Sequence, residues 1–271
     1  MAILPWRQKA ETVALVPTMG ALHRGHMTLV EQAQRITQCV IVSIFVNPTQ
    51  FGANEDLSRY PRRIEADLKL LAEAGCDLVY MPSVEEMYPE GFATRVDPGP
   101  LATILEGAAR PGHFQGVATV VSKFLMQLMP DAALFGEKDY QQLLVIRRIT
   151  RDLDIPAHII SVPIARDRDG LALSSRNAYL TPDERQHAVA LPHVLLETAK
   201  AIHGGATIAT ALTDGKHRLA QSGFHVDYME LADAETLEPV HTLERSTRLL
   251  AAARIGTTRL IDNVAIEPRS V

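Results

Sequence analysis

Two histidines three residues apart, His23 and His26, stand in the segment VPTMGALHRGHMTLV at residues 16–30. An apolar β-branched run there breaks at Gly20 and gives way to a helical pattern starting at Gly25. Glycine at such a junction lets a backbone approach a phosphate. The helix start adds unpaired N–H groups and a partial positive charge. At a spacing of three, both imidazoles can face one ligand. Two other readings compete. A zinc helix usually sets its histidines four apart beside a carboxylate, and H-x-G-H offers neither. Two surface histidines at a turn would carry no chemistry.

Three further segments hold groups that could act with them. NPTQFG, residues 47–52, follows the apolar run CVIVSIFV at 39–46. Ligands of open parallel sheets bind at the carboxyl ends of the strands, so Asn47 and Gln50 are placed for a small polar substrate; an ordinary Asn-Pro turn is the alternative. In FGEKDYQQL, residues 135–143, Gly136 permits close approach and Lys138 supplies a point charge. Asp139 could cap a helix or take a ribose hydroxyl, and Gln142 lies one turn further on. A capped helix with exposed charges is the alternative. In DGLALSSRN, residues 169–177, Ser174, Ser175 and the Arg176 guanidinium form a cluster suited to a polyphosphate, in a loop read as flexible. A solvated linker would look similar. Val117, Val120 and Val121 share one face at helical spacing, as core or as the wall of an apolar pocket, and Glu65 and Asp67 are weak magnesium candidates.

These groups need a scaffold, and the pattern predicts one. Strands are expected over 13–16, 39–46, 78–81, 132–135 and 158–162, alternating with helices over 25–36, 64–74, 117–129 and 140–152. Such alternation predicts a Rossmann-like, doubly wound α/β domain with a parallel sheet over residues 1–164. Helices at 184–201 and 208–222, then strands near 225–231, 248–253 and 259–266, predict a smaller α+β lid domain over 165–271.

Composition excludes several classes. The 271 residues are 46% hydrophobic and 22% charged, ordinary for a globular protein, with formal charge −5 and pI near 6.1. That balance, without clustered aromatics, disfavours a nucleic-acid-coating surface. Cys39 and Cys76 lie in apolar surroundings and read as buried thiols, suited to a reducing compartment. The N-terminal residues lack the apolar core of a leader, and no run reaches the roughly 18 apolar residues of a membrane span, so a cytoplasmic protein is expected. G-x-S-x-G, G-x-G-x-x-G and Walker A signatures are missing, which disfavours hydride transfer and P-loop phosphoryl transfer. The groups that remain suit a polyanion held beside a small polar acid.

The four segments, in this order and at these spacings, resemble the pantothenate synthetase (pantoate–β-alanine ligase) family of the nucleotidylyltransferase superfamily, whose signature would be His23-x-Gly25-His26. The likeness runs from residue 16 to about 266. It implies ATP as a substrate, a pantoyl-adenylate intermediate, Mg²⁺ and a homodimer. By position, Met19, Gly20, Ala21, Leu22, His23, Arg24, Gly25 and His26 would bind ATP, with Met19 also touching pantoate and His26 at the proton-donor position. Gln50 would contact pantoate and then β-alanine, and Gln142 would hold pantoate. Gly136, Glu137, Lys138 and Asp139 would hold adenosine and phosphates. Ala165, Leu173, Ser174, Ser175 and Arg176 would complete the nucleotide site. His23, His26, Lys138 and Arg176 would stabilise charge in the reaction. Relatives usually carry a further strand and helix before VPTMG; the fifteen residues preceding Val16 imply a shortened or lost first helix. Arg24 replaces a common acidic residue, and Ala165 a bulkier one. Another nucleotidyl transferase or a non-catalytic nucleotide sensor would be the rivals.

Overall fold

The computed structural model describes residues 3–52, 55 and 57–268. It divides into two compact units, Met1–Pro163 and Ile164–Val271. The first unit runs α1 (Leu4–Gln8), β1 (Val13–Thr18), α2 (Arg24–Ile36), β2 (Cys39–Ile44), α3 (Ile64–Glu73), β3 (Leu78–Tyr80), α4 (Val84–Met87), α5 (Glu106–Ala109), α6 (His113–Leu128), β4 (Ala132–Gly136), α7 (Tyr140–Asp152) and β5 (His158–Val162).

Its five strands form one parallel sheet in the order β3-β2-β1-β4-β5. All six residues of β2 are buried, as expected where both sheet faces are covered. On one face Ala14, Val16, Val40, Val42 and Leu134 pack with Leu29, Val30 and Ala33 of α2 and Leu71 of α3. The alternate residues Leu15, Ile41 and Ala133 are equally inaccessible. Strand order reverses at β1: β2 and β3 lie on one side of it, β4 and β5 on the other. The carboxyl ends of β1 and β4 therefore flank a topological switch point, where open α/β sheets bind ligands.

Some boundaries differ from the sequence reading. Helix α6 starts at His113, four residues earlier than its valine periodicity suggests, because Gly112 at φ 83 turns the chain into it and Phe114 already packs in the core. The first helix is short but present. Arg7 Nη1 donates to Asp131 Oδ2 at 2.8 Å, and that oxygen also accepts from the Val13 amide at 2.7 Å, pinning α1 to β1. Both thiols are free; Cys39 is buried, whereas Cys76 is only partly so.

The second unit contains α8 (Pro182–Ala188), α9 (Ala190–His203), α10 (Ile208–Gln221), β6 (His225–Asp233), β7 (Thr247–Ile255) and β8 (Thr258–Ile266). The strands form an antiparallel sheet, β6-β7-β8, whose core joins Leu249 and Ala251 to Leu191 and Leu195 of α9 and Leu219 of α10. The single helix expected over 184–201 is two. Pro192 lacks the N–H that would bond the Ala188 carbonyl, so the helix divides there. Thr181 caps α8 reciprocally with Glu184, which moves its start back to Pro182. Among the described residues no helix is long and apolar enough to cross a membrane.

Candidate active site

The turn after β1 is built by side chains behind it. Thr18 Oγ1 donates to the Ser43 carbonyl at 2.6 Å and accepts from the Gly20 amide at 3.2 Å. Gly20 sits at φ +80, and a Cβ there would lie a tight 3.1 Å from Asp67 Oδ2 and from Ile44 Cγ2, so both the backbone and the space favour glycine. Ala21 follows at φ 50, a left-handed conformation that costs a non-glycine residue about 1–2 kcal/mol. The compensation comes from Asp67, 3% exposed, whose two oxygens accept from the Ala21 and Leu22 amides at 2.8 Å each. The Asp67 carboxylate, a weak magnesium candidate by sequence, is thus buried and holds the strained turn through both of its oxygens.

The two histidines then open α2. His23 is its N-cap: the Gly25 amide donates to His23 Nδ1 at 3.1 Å, and the His23 amide donates to His26 Nδ1 at 3.3 Å. Because each Nδ1 accepts, the neutral rings carry their protons on Nε2. The rings lie 4.1 Å apart between centroids, tilted by 37°. Burial, and then the neighbouring His23, push the His26 pKa down to about 3; Lys138 lowers it further and Asp139 opposes. His26 is therefore a neutral Nε2–H donor at pH 7. No acidic residue stands in the first turn of α2, whose Gly25 amide is met by the His23 ring. Met19, Leu22 and Gly25 are partly exposed along this turn, and Arg24 is fully on the surface.

β1 pairs in parallel with β4, so the turns that follow them lie side by side across the switch point, and Lys138 and Asp139 act electrostatically on His26. Gly136 ends β4, and a Cβ there would meet nothing within 4 Å, leaving open space along the backbone. Glu137, Lys138 and Asp139 form a single 3-10 turn. The Lys138 side chain is 19% exposed and its Nζ lies 3.6 Å from Asp139 Oδ1. Asp139 precedes α7 but makes no capping bond with its side chain, contrary to one of its two expected uses.

Gln50 is buried, at the end of a 3-10 turn after β2, with its Nε2 3.3 Å from Met19 Sδ. That contact joins the two residues expected to share a substrate. Asn47 proves to stand behind Gln50. Its Nδ2 donates to Gln50 Oε1 at 2.9 Å and to the Gly116 carbonyl at 3.2 Å, while its Oδ1 accepts from Tyr88 Oη at 2.7 Å and Thr49 Oγ1 at 2.9 Å. This amide, expected from the sequence to meet a small polar substrate, has its donors and acceptor engaged by the protein and orients Gln50. Val117, Val120 and Val121 are each at most 5% exposed on α6. Gln142 is partly exposed on α7, whereas Gln141 beside it is buried and holds the 101–106 loop. Gln141 Nε2 donates to the Leu101 and Ile104 carbonyls at 2.8 Å each, and its Oε1 accepts from the Glu106 amide at 3.0 Å. Adjacent glutamines are indistinguishable in type; only the helix phase separates their roles.

In the second unit the segment read as a flexible loop is ordered. Residues 165–173 form a hairpin: the Leu173 amide donates to the Ala165 carbonyl at 2.9 Å, and Arg166 bridges Ala172. Arg166 pairs with Asp262 through both guanidinium nitrogens, at 2.6 and 2.8 Å, anchoring the hairpin to β8. Ser174 then caps a 3-10 turn, Ser175–Tyr179, by accepting from the Arg176 amide at 3.2 Å. Ser174, Ser175 and Arg176 are all partly exposed.

Comparison with known proteins gives consistent results. The family model described as pantoate-beta-alanine ligase matches residues 1–265. Pantothenate synthetase of Paramagnetospirillum magneticum is 54% identical over 264 residues, 97% of this chain and 93% of that one. The protein of the same name from Rhizorhabdus wittichii is 58% identical over 257 residues, 94% of this chain and 91% of its own. Among solved structures, pantothenate synthetase of Thermus thermophilus superposes with a TM-score of 0.92 at 52% identity, covering 95% of this chain and 94% of that one. The ligase of Francisella tularensis, solved in complex with β,γ-ATP and β-alanine, gives 0.80 at 36% identity, covering 94% and 90%.

Proposed function

The chain belongs to the pantoate–β-alanine ligase family, enzymes that form an amide bond, and from that premise we propose that it works through a pantoyl adenylate made from ATP. In the first step a pantoate carboxylate oxygen attacks the α-phosphorus, the bond to the β,γ-phosphates breaks, and pyrophosphate leaves. In the second, the neutral amine of β-alanine attacks the acyl carbon. The acyl–oxygen bond breaks, AMP leaves, and the new amide nitrogen gives up one proton.

One observation carries this reading. Two imidazoles with Nε2–H donors open α2 after β1, and Lys138 follows β4, the strand paired with β1 at the switch point. Charge builds on phosphate oxygens as pyrophosphate departs, and preorganised donors stabilise it there without reorganisation. Gln50 and Gln142 are assigned to pantoate, and Gln50 to β-alanine in turn. Ala165, Leu173, Ser174, Ser175 and Arg176 are assigned to the nucleotide. Mg²⁺ would arrive on the triphosphate and add charge neutralisation. Among the described residues no three metal-ligating side chains cluster. A homodimer in the cytoplasm belongs to the same proposal.

The test is ATP–pyrophosphate exchange with and without each acid. Exchange that requires pantoate and proceeds without β-alanine is expected. Exchange that needs β-alanine would refute a separate adenylation step. Nucleotide binding with no turnover in any mixture would make the chain a sensor.

A further inference from the structure

Behind Gln50 lies a second polar chain that the reaction scheme leaves unused. His113, the first residue of α6, is 7% exposed, and its Nδ1 is 2.9 Å from the Gln50 carbonyl. Its Nε2 is 3.0 Å from Arg110 Nη1. Arginine can only donate, so Nε2 accepts and the proton of the neutral ring resides on Nδ1, pointed at Gln50. Arg110 is in turn gripped by Glu55, with Nε to Oε1 at 2.9 Å and Nη2 to Oε2 at 2.5 Å. The charged groups facing the imidazole are Arg110, Glu55 and Glu106. Burial, then Arg110, hold the His113 pKa down at about 4, which keeps the ring neutral and the direction of the bonds unchanged at pH 7. The packing is equally strict: a Cβ at Gly116 would lie 2.5 Å from the Thr49 carbonyl oxygen and 2.7 Å from the Gln50 amide.

We propose that Glu55, Arg110 and His113 form a hydrogen-bond relay, in which Arg110 donates to both of its neighbours and His113 donates to the Gln50 carbonyl, that positions Gln50 for the acid substrate, with His113 as the positioning residue. The inference rests on the assignment of Gln50 to pantoate. Asn47 fixes the Gln50 side chain from one side, and the relay fixes its backbone from the other. The three members, on α6, in the turn before it and in the segment after β2, act in series, with His113 making the contact to Gln50.

The test compares His113→Asn with His113→Gln, alongside Glu55→Gln and Gln50→Ala, in steady-state kinetics with each substrate varied in turn. The asparagine amide can take the place of Nδ1–H and reach the Gln50 carbonyl; glutamine reaches the Nε2 position and loses that bond. His113→Gln is expected to raise KM for pantoate about tenfold, the worth of one buried hydrogen bond, with KM for ATP unchanged. His113→Asn should stay within about threefold of the parent, and Glu55→Gln, at the accessible end of the relay, should fall between them. Equal KM values for the two His113 variants would overturn the relay, because a merely structural histidine has no reason to distinguish them. Should the buried substitutions fail to fold, Glu55→Gln decides alone: an unchanged pantoate KM overturns the relay. If Gln50→Ala raises KM while the relay variants do not, the relay fails and the substrate assignment stands. If Gln50→Ala also leaves KM unchanged, the assignment fails and the relay with it.

Discussion

Replacing Asp67 by asparagine isolates the least obvious element of the nucleotide turn. The carboxylate serves two amides, Ala21 and Leu22, from a site 3% exposed to solvent. Asparagine preserves the shape and one acceptor but turns an amide NH₂ toward the second N–H. One bond to a charged acceptor, about 1.5–3 kcal/mol, is lost, and a buried N–H left bare costs about 1–3 kcal/mol. A total near 3 kcal/mol is expected. The left-handed conformation of Ala21 then loses its support and the turn relaxes away from the histidines. At about 2–4 °C per kcal/mol for a domain of this size, calorimetry should show Tm lowered by about 6–12 °C if the whole loss reaches global unfolding. Pantoate-dependent ATP–pyrophosphate exchange should fall about a hundredfold, since each tenfold in rate corresponds to 1.36 kcal/mol. A metal ligand would behave otherwise. A variant that melts with the parent and recovers its rate when magnesium is raised would refute the supporting role.

Removal of His26 should leave the fold intact, because the ring is an N-terminal donor and not a core residue. Exchange by His26→Ala should drop by a hundredfold or more, comparable to loss of a preorganised oxyanion donor, and normal turnover would remove the ring from the mechanism. The depressed pKa values of His26 and His113, about 3 and about 4, also set an acid dependence. The unfolded chain protonates both near pH 6.5, so it binds more protons than the fold between there and the depressed values. Stability should therefore fall as pH is lowered from 6.5 toward 4, and urea midpoints for His26→Ala should fall less steeply over that window. Gly116→Ala should displace the Gln50 turn, since the added methyl meets backbone at 2.5 Å; a raised pantoate KM with unchanged ATP affinity is the expected result.

How much of this was legible differs by residue. His23, Gly20 and Lys138 announce themselves because a phosphate site needs donors, a sharp turn and positive charge at strand ends, and those needs are written in local sequence. Asp67 and Asn47 did not reveal their roles, since a carboxylate or an amide looks the same whether it meets a ligand or a distant backbone. His113 and Arg110 were passed over: their significance depends on Gln50, sixty-three positions from the histidine in the chain.

Taken alone, the sequence determined the alternation of strand and helix, and hence a parallel sheet, because hydrophobic period and glycine placement act within a few residues of one another. It determined the family as well, through four short segments in order. What only the tertiary structure decided was the strand order that puts β1 next to β4, the hydrogen bonds that orient the His26 and His113 rings, and which polar groups face inward to hold Gln50 and Ala21. Those properties depend on distances between segments far apart in the chain and on the water excluded between them, and no local pattern encodes either.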